Sequence, residues 1–222
     1  MLKRISKALL GVMLCCATAT VSAGPRVVFM GDSIFQGWGE KVSTFFSENN
    51  FLNKGISGHT TADMLLRYTG DVVNSGAQAV VIMAGINDIA QNDGSLRPVD
   101  DIAMNIASMA KASADAGQKV ILCSILPSSN LWGRTADPEN YVSRLNDMIQ
   151  EIVLENDYAF CDFYSAFVMA DGTLDYDLLL ESEVEGAMNG GTNCHPSYKG
   201  YLVMAEALLP IVNEVVPAAE QE

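Results

Sequence analysis

Four residues spread along this chain have the types that ester chemistry requires. Ser33 sits in Gly31-Asp32-Ser33, directly after the apolar run Arg26–Met30. A serine hydroxyl is a weak nucleophile until a neighbouring base takes its proton. Histidine is the side chain suited to that task near neutral pH. The chain has two, His59 and His195, and His195 opens the segment leading into the last helical pattern. An attacked carbonyl becomes an oxyanion and needs donors already in place. The backbone N–H groups of Ser33 and Gly58 and the side-chain amide of Asn87 could supply them. Each residue has a plainer reading as well. Ser33 could cap a helix, Asn87 could form a turn, and His195 could simply start a helix.

The elements around these residues favour the shared reading. Arg26–Met30, Asn50–Asn53, Ala79–Met83, Lys119–Leu126 and Tyr158–Phe163 read as strands. Helical patterns fall between them at Trp38–Glu48, around Met64–Tyr68, at Pro98–Gly117 and at Glu139–Glu155, with a last one from Pro196 to about Val215. Strands alternating with helices predict βαβ units and a parallel sheet. Such sheets bind ligands at the carboxyl edge. Ser33, Gly58, Asn87 and His195 all follow strands there. In the order 2-1-3-4-5, strands one and three flank the crevice. The long segment before His195 can bring it back over Ser33. Trp38 reads as core and Trp132 as pocket wall, while His59, next to Gly58, reads as part of the pocket rim.

Gly31-Asp32-Ser33, Asn53-Lys54-Gly55-Ile56-Ser57-Gly58, Gly85-Ile86-Asn87-Asp88 and His195-Pro196 resemble, in order, the four blocks of the SGNH (GDSL) hydrolase family. The resemblance implies a flavodoxin-like three-layer α/β/α fold with a five-stranded parallel sheet. It implies a serine esterase that needs no cofactor or metal. It assigns the nucleophile to Ser33, the base to His195, and oxyanion contacts to Ser33, Gly58 and Asn87. The family pattern places the donor at Gly58, which leaves Gly55 for a tight backbone position. One position departs: Thr192 stands where the family usually has the Asp that orients the histidine. A Thr hydroxyl, a backbone carbonyl, or Glu181, Glu183 or Glu185 could take that place. The departure keeps a second reading open, a catalytically impaired SGNH-like binding protein.

Composition bounds the remaining possibilities. Of 222 residues, 49% are apolar and 18% charged, as expected for a globular chain with a sizeable core. Lys3, Arg4 and Lys7 precede the apolar run Ala8–Thr20, and small residues lead up to Ala23. This predicts a signal peptide over 1–23, a hydrolase domain over 24–222, and a secreted or periplasmic product. Loss of those three positive charges takes the net charge from −14 to −17. Such a surface repels nucleic acid and anionic membranes. No stable membrane insertion is expected once the leader is cut. The expected partner is a small-molecule or carbohydrate ester, with short acyl or acetyl groups favoured. Cys123, Cys161 and Cys194 are too few, and odd in number, for a disulfide framework. The turn after strand one lacks the glycine-rich cradle a phosphate binder needs.

Overall fold

Val27–Gly31 (β1) contains no residue that needs water, and the strand is buried along its whole length. Burial on both faces is what a central parallel strand requires. A computed structural model describes residues 24–180 and 193–218 and shows how the other elements enclose it. The partner strands are Phe51–Gly55 (β2), Ala79–Ile82 (β3), Lys119–Cys123 (β4) and Ala159–Cys161 (β5). All four pairings are parallel, and the order is β2-β1-β3-β4-β5. The flavodoxin-like order expected from the sequence is therefore the one observed. In register, Gly31 lies beside Gly55 and Met30 beside Ile82. The chain thus leaves β1, β2 and β3 at nearly the same height, on one edge.

The helices are Ser33–Lys41 (α1), Ser43–Glu48 (α2), Thr61–Asp71 (α3), Ile86–Ile89 (α4), Val99–Asp115 (α5), Pro138–Asn156 (α6), Phe163–Ala166 (α7) and Tyr198–Val215 (α8). Helices α3, α5 and α6 pack together on one face of the sheet. On the other, α1 and α2 pack by β2, and α8 packs against β5 and α7. That second face is built on aromatic rings. Trp38 is fully buried, stacks on Phe45 at 4.7 Å, and meets Phe29, Phe163 and Tyr201. Offset and edge contacts of this kind suit ring quadrupoles. Trp38 is therefore core, as its spacing suggests.

Several boundaries differ from the sequence pattern for local reasons. The single helix expected over Trp38–Glu48 is two, because Val42 leaves helical geometry (φ −131°, ψ 55°) and redirects Phe45 and Phe46 onto Phe29. Strand β2 starts after Asn50, which is left-handed (φ 54°), and runs on to Gly55. Strand β4 stops at Cys123. The Asn146 side chain then takes over as partner, accepting from the Ile125 N–H (2.8 Å) and donating to the Ile125 carbonyl (3.1 Å). Strand β5 ends where Asp162 caps α7 by accepting from the Ser165 N–H. Among the described residues, no helix is long and apolar enough to cross a membrane. Cys123 and Cys161, register partners on β4 and β5, are buried free thiols, and Cys194 is buried as well.

Candidate active site

Gly31 ends β1 and Asp32 turns the chain. Asp32, not Ser33, caps α1: its carboxylate accepts from the Ile34 N–H at 2.9 Å. Ser33 is left as the first helical residue with its hydroxyl unused by the backbone. That hydroxyl lies 2.9 Å from His195 Nε2, across 162 residues of chain. This is the contact general-base activation of a hydroxyl requires.

His195 is brought there by contacts on both sides of it. The Leu180 N–H donates to the His195 carbonyl (3.0 Å), and the Ser197 N–H donates to the Leu178 carbonyl (2.8 Å). Ser197 then caps α8, accepting from the Gly200 N–H. Two residues before His195, the fully buried Asn193 joins the loop after β4. Its Oδ1 accepts from Ser128 Oγ (2.9 Å) and from the Ser129 (3.1 Å) and Asn130 (3.0 Å) N–H groups, and its Nδ2 donates to Ser129 Oγ (2.8 Å). On the far side of the imidazole, Nδ1 lies 3.8 Å from Cys194 Sγ. Thr192, Glu181, Glu183 and Glu185, the candidates for orienting the ring, lie outside the described residues.

The oxyanion candidates come from the loops after β2 and β3. Gly58 adopts a left-handed conformation (φ 78°), and Asn87 is a buried residue in the one-turn helix α4. Asp88, fully buried, ties the two loops together by accepting from the Thr61 N–H (2.8 Å) and Oγ1 (2.7 Å). Burial pushes its pKa up, and the Thr61 donors act against that shift. Asp88 thus braces the turn that presents Asn87. Thr60 caps α3 in a reciprocal box with Asp63.

Ser33, Gly58, Asn87, Trp132 and His195 all line one cavity of about 140 Å³, together with Asn92 and Leu131. His59 is the sequence-predicted residue whose ring is not brought there. Its Nδ1 accepts from Arg67 Nε (3.1 Å), and its carbonyl accepts from Asn87 Nδ2 (3.1 Å). Burial, and then the Arg67 guanidinium, lower the His59 pKa. Arg67 also donates to the carbonyls of Lys54 (2.8 Å) and Gly31 (3.1 Å), so it pins the ends of β1 and β2. Arg67 and Asn193 were not evident from the sequence, because each reaches partners distant along the chain; Asn92 touches the nearby Asn87, but its tie to Arg134 spans 42 residues. A larger cavity of about 660 Å³, lined by Gln118, Asn156, Asp157 and Ile211 among others, lies at the opposite edge of the sheet and holds no serine or histidine.

Asp32 makes the site's pH dependence testable. Burial raises its pKa to about 6, against the opposing pull of the Ile34 N–H and of His195. A carboxyl whose folded pKa lies above its unfolded value of 3.8 adds stability that is fully present below that value. The stability is lost as pH rises through about 6. Asp32→Asn keeps an oxygen for the Ile34 N–H but cannot ionise. The melting temperature of Asp32→Asn minus that of wild type should therefore rise between pH 4 and pH 7. A difference that stays flat over that range would remove Asp32 as the titrating group.

Fold and site together define a class: a flavodoxin-like α/β/α hydrolase carrying the Ser, Gly, Asn and His blocks in family order. Comparison with known proteins makes the assignment specific. Residues 29–203 match the GDSL-like lipase/acylhydrolase family. A GDSL-like lipase from Bacteroides thetaiotaomicron is 33% identical, with a TM-score of 0.76 over 86% of this chain and 88% of that one. An acetylxylan esterase from Geobacillus stearothermophilus is 26% identical over 162 residues, 71% of this chain and 69% of that protein. A crystal structure of an acetylxylan esterase from that organism covers 86% of this chain and 94% of its own. At 21% identity and a TM-score of 0.65, it is a likeness of fold. The chain belongs to the GDSL-like lipase/acylhydrolase family and is a carboxylic ester hydrolase.

Proposed function

We propose that this chain is an exported serine esterase that removes short acyl groups, acetyl foremost, from hydroxylated substrates such as carbohydrates. The observation that carries the reading is the 2.9 Å contact of Ser33 Oγ with His195 Nε2 in a cavity that Gly58 and Asn87 also line. Nε2 takes the hydroxyl proton as Oγ bonds to the carbonyl carbon. The Ser33 and Gly58 N–H groups and the Asn87 amide hold the resulting oxyanion. Collapse of that intermediate breaks the ester C–O bond, and His195 returns the proton to the departing alcohol. Water, activated in the same way, then frees the acid from Ser33.

The size of the cavity supports a short acyl group. About 140 Å³ is well below the roughly 300–1,000 Å³ of sites that enclose drug-sized ligands. Trp132, 41% exposed, forms one wall. The relative named an acetylxylan esterase points the same way, and the composition of residues 1–23 supports export.

The test pairs a covalent probe with an acyl series. A fluorophosphonate should modify Ser33 stoichiometrically, read by mass spectrometry of the peptide that contains it. The kcat/KM for p-nitrophenyl acetate should exceed that for the octanoate at least about tenfold, since a chain the cavity cannot enclose loses its transition-state contacts. Modification at another residue, or equal use of octanoate, would count against the proposal.

A further inference from the structure

We propose that Asn92 is a positioning residue that fixes which end of the Asn87 amide faces the reacting carbonyl. The inference rests on the reading of Asn87 as an oxyanion donor. Asn87 is useful only if its Nδ2, and not its Oδ1, points into the cavity. The two orientations have nearly the same shape, so packing alone does not select between them.

A short row of side chains selects by polarity. Arg134 Nη1 donates to Asn92 Oδ1 (3.3 Å), Asn92 Nδ2 donates to Asn87 Oδ1 (2.6 Å), and Asn87 Nδ2 donates to the His59 carbonyl (3.1 Å). Both ends of the row have fixed polarity. A guanidinium can only donate, and a backbone carbonyl can only accept. With the ends fixed, each amide has one orientation that satisfies every link. In that orientation the second N–H of Asn87 is left for the cavity that Asn87 lines. Reversal of Asn87 would set its Oδ1 against the His59 carbonyl and its Nδ2 against the Nδ2 of Arg134-oriented Asn92, and present an acceptor to the oxyanion.

The backbone builds the row. Gln91 is left-handed (φ 56°) just past α4, and the Asn92 N–H donates to the Asn87 carbonyl (3.0 Å), folding Asn92 back over the residue it orients. The Gln91 side chain donates to the Arg134 carbonyl, which ties in the loop after β4. The Arg134 guanidinium rests 5.2 Å from the centre of the Trp132 ring. Asn92 and Arg134 are both exposed, so the Arg134 charge is screened and the fold does not depend on either side chain. Asn92 also lines the cavity, so a direct contact with substrate has to be separated from action through Asn87.

A double-mutant cycle on p-nitrophenyl acetate makes that separation. Asn87→Ala should lower kcat about 10²–10³-fold, the usual loss for one oxyanion donor. Asn92→Ala should lower kcat about tenfold with KM changed less than about twofold, because the His59 carbonyl still restrains Asn87. Asn92→Asp should lose more than Asn92→Ala, since a carboxylate accepts only and turns the Asn87 oxygen towards the substrate. The double variant Asn87→Ala/Asn92→Ala should be no slower than Asn87→Ala alone. An equal loss from Asn92→Ala in both backgrounds would show Asn92 acting by itself and would overturn the relay, leaving the role of Asn87 intact. Wild-type kcat in Asn92→Ala or Asn92→Asp would also overturn it. Wild-type kcat in Asn87→Ala would remove the oxyanion reading and the relay together.

Discussion

Ser33→Ala should lower the hydrolysis of p-nitrophenyl acetate by on the order of 10⁵-fold while leaving the fold unchanged. The magnitude follows from the way a nucleophile and its base act as one unit, so that losing either costs nearly as much as losing both. The Ser33 side chain contacts His195, whereas α1 is capped by Asp32. Alanine is a good residue at a helix start, and the aromatic layer behind α1 does not involve the hydroxyl. A wild-type melting temperature with activity reduced to the level left by binding and the oxyanion donors is the expected pair of results. Adding His195→Ala to Ser33→Ala should change little further. A loss of less than about tenfold, in protein with a wild-type melting temperature, would show that another group carries out the attack.

Gly55→Ala should be the most damaging of the small substitutions near the site, and its effect should be on stability first. A Cβ at Gly55 would lie 2.3 Å from Gln36 N, 2.7 Å from the Phe35 carbonyl carbon and 2.8 Å from the Asp32 carbonyl oxygen. All three atoms are backbone at the start of α1, so no side chain can swing aside. Either β2 or α1 must move, and moving α1 moves Ser33. Overpacking against fixed backbone places the cost at about 2–4 kcal/mol, or roughly 5–15 °C in a chain of this size. Gly58→Ala offers the contrast. Its Cβ would meet only Asn92 Nδ2, at 4.0 Å, but its φ of 78° penalises any side chain, by about 1–2 kcal/mol. Thermal melts of the two variants should therefore rank Gly55→Ala below Gly58→Ala. The reverse ranking would mean that β2 does not approach α1 as closely as described.

These two substitutions also show where the sequence was informative. The close approach at Gly55 was legible because the two glycines of Asn53–Gly58 serve different needs, and the family pattern left Gly55 without a chemical task. The parallel sheet was legible too, since Val27–Met30, Ala79–Ile82 and Val120–Leu122 are unbroken apolar runs of strand length. Helix and strand ends were less legible. Val42, Asn50 and Ile125 stop or bend elements through backbone angles or side-chain partners that periodicity does not encode.

By itself the sequence determined the class of this protein: an alternating α/β chain with serine, glycine, asparagine and histidine blocks at successive carboxyl ends of strands. Only the tertiary structure decided how those residues are held. Asn193 reaches the loop 128–130, Arg67 reaches the Gly31 carbonyl and the His59 ring, and Arg134 reaches Asn92 from 42 residues away. It also decided that Asp32, rather than Ser33, caps α1. The reason is physical. Apolar periodicity is a local signal, repeated many times, and survives in the order of residues. A polar side chain bridging two loops is a single directional contact, and its partner is set by where the sheet brings distant segments together.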